Sequence, residues 1–132
     1  MATVIDASIV LSALLSEEYA ARAEEILCQD LICAPRLLAL EVTNGLASAV
    51  RRKRLGAAEG KAIAEAFESL PVSFDDQPVQ APELFQFAQT HSLTTYDATY
   101  VLLAQRIDAK LASFDKALCE VGRRLGVPVL SL

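Results

Sequence analysis

Short apolar runs rich in β-branched residues alternate with stretches of helical spacing along the whole chain, and this alternation narrows the fold more than any other feature. Residues 2–5, 31–34, 71–74, 111–114 and 127–130 read as strands. Between them, the pattern Ile9, Val10, Ala13, Leu14 and then residues 19–27, 36–52, 56–68, 82–91, 95–107 and 116–125 read as helices. The punctuation agrees. Pro35 and Pro82 suit helix starts, where a missing N–H costs nothing, and Gly126 suits a helix stop. Strands that alternate with helices pair in parallel and are covered on both faces. The expected fold is therefore α/β: one domain over residues 1–132, an α/β/α sandwich with a parallel sheet of about five strands. Pro128 puts the last strand at an edge, because proline cannot serve a central ladder.

Composition supports a packed core. A chain of 132 residues buries roughly 68% of its extended surface on folding. With 53% hydrophobic and 22% charged residues it is not a disordered tail. Apolar runs such as residues 9–15 fall short of the ~18 residues of a membrane span. No basic stretch precedes the first apolar run, and Asp6 interrupts it, so no secretory signal is expected and the cytoplasm is the expected compartment. Cys28, Cys33 and Cys119 lack C-x-x-C spacing and lie far from the sole histidine, His91. They read as buried free thiols and not as a zinc site.

Four acids stand where a solvated surface position fits poorly. Asp6 and Asp115 each close a predicted strand, at the sheet edge where open parallel sheets bind ligands. Glu41 shares a helix face with Leu37, Leu38 and Gly45, so a charge lies on the face that should enter the core and needs a partner. Gly45 gives up roughly 0.8–1.0 kcal/mol relative to alanine in mid-helix, which points to a backbone or ligand in close approach. Asp97 falls in the first turn of its helix, behind Thr95 as N-cap. Singly, each acid has an ordinary explanation as a turn residue, a cap or half of an ion pair. Together, three or four converging carboxylates without nearby Lys or Arg repel one another, and hard divalent cations such as Mg²⁺ or Mn²⁺ relieve such a set.

The strings Val4-Ile5-Asp6-Ala7-Ser8, Leu40-Glu41-Val42-Thr43-Asn44, Tyr96-Asp97-Ala98-Thr99-Tyr100-Val101-Leu102-Leu103-Ala104 and Ala112-Ser113-Phe114-Asp115 resemble, in order and spacing, the four signature blocks of PIN-domain ribonucleases. The chain is most similar to the VapC toxins of toxin–antitoxin operons. The resemblance implies a PIN-like fold, Mg²⁺ or Mn²⁺ dependence, endonucleolytic cleavage of RNA, a homodimer, and neutralisation by a cognate antitoxin. By it Asp6, Glu41, Asp97 and Asp115 are the catalytic, metal-binding acids, with Ser8 and Asn44 as polar support. Where the last block usually reads Thr-x-Asp, this chain keeps the hydroxyl as Ser113 and sets Phe114 beside the acid. With one histidine in the chain, a mechanism using paired imidazoles is excluded, and metal-activated water is the route that remains.

A net charge of −5, from 12 basic and 17 acidic residues, repels nucleic acid unless the charges segregate. The one dense basic run is Arg51-Arg52-Lys53-Arg54, following Glu41 on the same helix. Arg51, Arg52 and Arg54 are either cations well placed at a helix C-terminus or a clamp for RNA phosphates. Tyr96 and Tyr100 fall on the apolar side of their helix and read as core. The alanine-rich helix with Ile63 and Phe67 is a core helix or part of a groove for a partner peptide. A haloacid-dehalogenase-type fold would need a second acid where Ser8 stands, and a receiver domain would need its acidic pair after the first strand and not at Asp75-Asp76. The alternative that remains is a non-catalytic PIN-like binding module.

Overall fold

A computed structural model describes residues 1–29 and 31–132. In chain order the elements are β1 (Thr3–Ile5), α1 (Ala7–Leu14), α2 (Ala20–Leu27), β2 (Ile32–Pro35), α3 (Leu37–Arg51), α4 (Ala57–Glu68), β3 (Val72–Asp75), α5 (Ala81–His91), α6 (Thr95–Arg106), β4 (Lys110–Ala112), α7 (Lys116–Arg124) and β5 (Val129–Leu130). The five strands form one parallel sheet in the order β3-β2-β1-β4-β5. β5, the strand that follows Pro128, lies at an edge as expected.

Period-two alternation divides the sheet between two cores. Ile5, Ile32, Ala34 and Ala112 face one side, against Ile9, Val10, Ala23, Ile26, Leu38, Val42, Leu46 and Phe67 of α1 to α4. Val4, Cys33 and Leu111 face the other, against Tyr100, Val101, Leu103 and Ala104 of α6 and Leu118 of α7. The register puts Val4 opposite both Cys33 and Leu111, so the three pack as one row. Burying both faces explains why the central strands β1 and β2 are mostly apolar, whereas the edge strand β3, Val72-Ser73-Phe74-Asp75, alternates with polar residues. Gly126, at φ 77°, takes the left-handed position that ends α7 and turns the chain into β5.

Several expectations are corrected. Phe67 is buried in the first core and Ile63 packs against it, which makes α4 a core helix and removes these two side chains from any partner groove. Tyr96 is 59% exposed, whereas Tyr100 is buried at 1%. Tyr96 follows the first residue of α6, where the helix has not yet reached the core. Cys28, at the C-terminal end of α2, is exposed, and only Cys33 and Cys119 are the buried thiols expected. The close approach at Gly45 is neither backbone nor ligand: a Cβ there would lie 2.7 Å from the Leu11 side chain, so the glycine lets α1 pack against α3. Among the described residues, no helix is long and apolar enough to cross a membrane.

Candidate active site

The strand order explains why two distant acids meet. From β1 the chain steps outward to β2 and β3, then returns to the other side of β1 to lay down β4 and β5. The crevice at the carboxyl ends of β1 and β4 is thus a switch point, the place where open α/β sheets bind ligands. Asp6 leaves β1 there, and Ser113, Phe114 and Asp115 leave β4 beside it.

Asp6 is held more tightly than any other acid. It is 7% exposed and caps α1: Oδ1 accepts from the backbone N–H of Ser8 at 3.0 Å and of Ile9 at 3.4 Å, and from the Ser8 hydroxyl at 2.5 Å. Oδ2 accepts from the Ser113 hydroxyl at 2.5 Å across the crevice. The two hydroxyls are themselves fixed, because Phe114 N–H donates to Ser8 Oγ at 3.0 Å and Asp115 N–H to Ser113 Oγ at 2.9 Å. Ser8 and Ser113 thus join the start of α1 to the start of α7. Asp115 caps α7, accepting from Leu118 N–H at 3.2 Å, and its side chain reaches solvent.

The other two acids arrive from helices. Asp97 is half-buried in the first turn of α6, which Thr94 caps through a 3.0 Å bond from Asp97 N–H; the expected cap, Thr95, is the first helical residue instead. Glu41, half-buried on α3, accepts a 2.5 Å hydrogen bond at Oε1 from the phenol of Tyr100. That phenol is the partner its placement required. Asn44 is exposed one turn further along α3 and makes no side-chain hydrogen bond among the described residues. Arg51, Arg52 and Arg54 are not brought to the acids: ten residues separate Glu41 from Arg51, about 15 Å at the helical rise. Arg51 donates to Ser48 Oγ at 3.1 Å, while Arg52 and Arg54 line a groove of about 540 Å³ with Leu11, Leu15 and Leu55. His91 packs tilted against Phe87, ring centroids 4.5 Å apart.

Burial raises two of the acids, and at Asp97 neighbouring charges add to it. Burial pushes the Asp6 carboxyl from 3.8 up to about 6, against the pull of its hydrogen bonds. Asp97 is raised by burial, then by the charges of Asp115 and Glu41, with the Thr94 hydroxyl working the other way. Tyr100 is raised by burial, by its bond to Glu41 and by the charges of Glu41, Asp6 and Asp97, so it stays a neutral donor. Among the described residues none of the four acids is in an ion pair; the three salt bridges are Arg22–Glu25, Arg36–Asp76 and Arg106–Asp75. Nor do three Asp, Glu, His or Cys side chains stand close enough to make a finished cation cage. The four acids are oxygen donors without a paired cation among the described residues, a set whose chemistry fits a hard divalent cation.

The family model of the PIN domain matches residues 3–124. The chain belongs to the PIN-domain family. VapC ribonuclease Mb0985 of Mycobacterium bovis is 32% identical to this PIN domain over 122 residues, 91% of each chain, which places it with the VapC-type ribonucleases. Two solved structures share the fold. VapC20 of Mycobacterium tuberculosis, a sarcin-ricin loop cleaving toxin, superposes with a TM-score of 0.72 at 14% identity, covering 91% of this chain and 95% of that one. VapBC2 of Rickettsia felis bound to a DNA fragment from its promoter superposes at 0.67 and 14%, covering 99% and 98%.

The raised carboxyls carry a sign. A group with a raised folded-state pKa holds its proton more tightly when folded, so the stability it gives is fully present below the unfolded value and is lost as pH rises through the folded one. For Asp6 that window runs from 3.8 to about 6. Asp97→Asn removes one of the repelling charges without changing shape. In EDTA at pH 7.5 it should melt a few degrees above the parent, and the gap should close at pH 4. Equal melting at both pH values would mean that the acids do not interact.

Proposed function

We propose that Asp6, Glu41, Asp97 and Asp115 jointly hold Mg²⁺ or Mn²⁺, and that the protein is the toxin endoribonuclease of a VapBC-type toxin–antitoxin module, hydrolysing RNA phosphodiesters. The observation that supports this is that Glu41 and Asp115 lie near Asp97, and Glu41, Asp6 and Asp97 near Tyr100: four acids from four separate segments, with no cation among the described residues paired to any of them. When bound, a divalent cation lowers the pKa of a coordinated water and neutralises charge on phosphate oxygens. The chain's own residues set the stage. Ser8 and Ser113 lock the Asp6 carboxylate in one orientation, so no rotamer search precedes binding. Asp6, at about 6, is ionised at neutral pH and available as a donor. Asp115 lies at the exposed mouth, where substrate first arrives.

The partner reading rests on the same family. A groove of mixed polarity, lined by Leu11, Leu15 and Leu55 together with Glu17, Arg52 and Arg54, is where we place the cognate antitoxin. Leu40, Val79, Phe85 and Tyr96 are among the exposed large apolar side chains, and we assign them to the contact of a homodimer. A solution mass near the single-chain 14.2 kDa by light scattering would contradict the dimer.

Asp6→Asn, Asp97→Asn and Asp115→Asn should each lower RNA cleavage by at least ~10²-fold while remaining folded, and EDTA should do the same to the parent. Products should carry 5′-phosphate and 3′-hydroxyl ends. A 2′,3′-cyclic phosphate would instead show attack by the ribose hydroxyl, and RNA bound but left intact in Mg²⁺ and Mn²⁺ would make the chain a binding module. Neutralising Arg51, Arg52 and Arg54 together should flatten the salt dependence of RNA binding by ~0.7 in slope for each lost phosphate contact. An unchanged slope would confine these arginines to the helix end.

A further inference from the structure

Glu41 and Asp97 lie on different helices, and α3 and α6 are joined, among the described residues, by a single side-chain hydrogen bond: Tyr100 Oη to Glu41 Oε1 at 2.5 Å. Tyr100 stands one turn after Asp97 on the same side of α6, between the buried Ala98 and Val101. It is 1% exposed, so no solvent competes for its hydroxyl. A phenol has one O–H to donate, and here it is given to one oxygen of a carboxylate whose other oxygen, Oε2, accepts no hydrogen bond among the described residues.

We propose that Tyr100 is a positioning residue that holds Glu41 to single-oxygen coordination of the bound cation, and thereby sets which cation the site prefers. This rests on the four-acid reading above. A carboxylate with Oε1 engaged by a short O–H···O bond has Oε2 as its freer oxygen, and symmetric chelation of a metal through both oxygens is disfavoured. Magnesium-like ions demand near-octahedral geometry and tolerate one oxygen per carboxylate, whereas Ca²⁺ accepts six to eight oxygens and readily takes a carboxylate through both. The phenol thus favours the smaller octahedral ions and disfavours Ca²⁺. It also fixes the reach of Glu41 from α3 relative to Asp97 on α6, the kind of outer hydrogen bond whose loss commonly changes metal affinity by about 10–100-fold.

The test is calorimetric titration of the purified full chain with Mn²⁺ and, separately, Ca²⁺. In Tyr100→Phe the ring and its packing remain while the O–H is lost. Its Mn²⁺ affinity should fall by about 10-fold, and the ratio of Mn²⁺ to Ca²⁺ affinity by a similar factor. Glu41→Asp keeps the charge but draws the carboxylate away from the phenol. It should lose the same preference, and the double variant should lose no more than either single one. A folded Tyr100→Phe that keeps both affinities, or weakens both ions equally, would overturn the proposal. If Tyr100→Phe fails to fold, Glu41→Asp decides alone, and an unchanged ion ratio there overturns it. The four-acid reading fails separately if the parent and Asp97→Asn bind Mn²⁺ alike.

Discussion

A carboxylate at 7% exposure with no cation beside it is a costly thing to bury, and the arrangement around Asp6 is what makes it tolerable. Two hydroxyls and two backbone N–H groups meet its oxygens, and each hydroxyl in turn accepts an N–H from the segment after β4. This network closes the crevice between β1 and β4, orients the first turns of α1 and α7, and holds Asp115 next to Asp6. Its hydrogen bonds do not cancel the burial, since the carboxyl is still raised to about 6.

Around that centre the fold supplies acids from both sides of the sheet. Glu41 comes from the layer of α1 to α4, Asp97 from the layer of α6 and α7. Two helices on opposite faces can bring side chains together only at an end of the sheet, so the switch point is where all four can meet. Tyr100 belongs to both the second core and the site through its side chain. Its ring is packed against Val4 and Leu111 in the second core, and its hydroxyl reaches Glu41.

Much of this was legible from residues alone because its physics is periodic. The parallel sheet follows from apolar strands alternating with helices, and Asp6 and Asp115 could be placed at strand ends before their neighbourhood was known. What resisted reading was non-periodic. That β1 lies beside β4 is a matter of strand order, which no local pattern encodes. Tyr100 was recognised as core, but its hydroxyl's partner is 59 residues away. Gly45 was rightly singled out for a close approach, yet the visitor is the side chain of Leu11. Tyr96, Cys28 and Thr95 were misplaced for a shared reason: each sits at or within a residue of a helix end, where a shift of one position exchanges a core residue for an exposed one. The arginine run reads the same in sequence whether it serves RNA, the antitoxin groove or the helix C-terminus.

The central claim is that four acids from four segments share one cation. Anomalous diffraction from crystals soaked in Mn²⁺ examines it directly. A single dominant peak should lie among Asp6, Glu41, Asp97 and Asp115, at roughly 2.0–2.3 Å from the oxygens that coordinate it. Mn²⁺ density confined to other surface carboxylates, with the crevice between β1 and β4 empty in fully soaked crystals, would contradict the account.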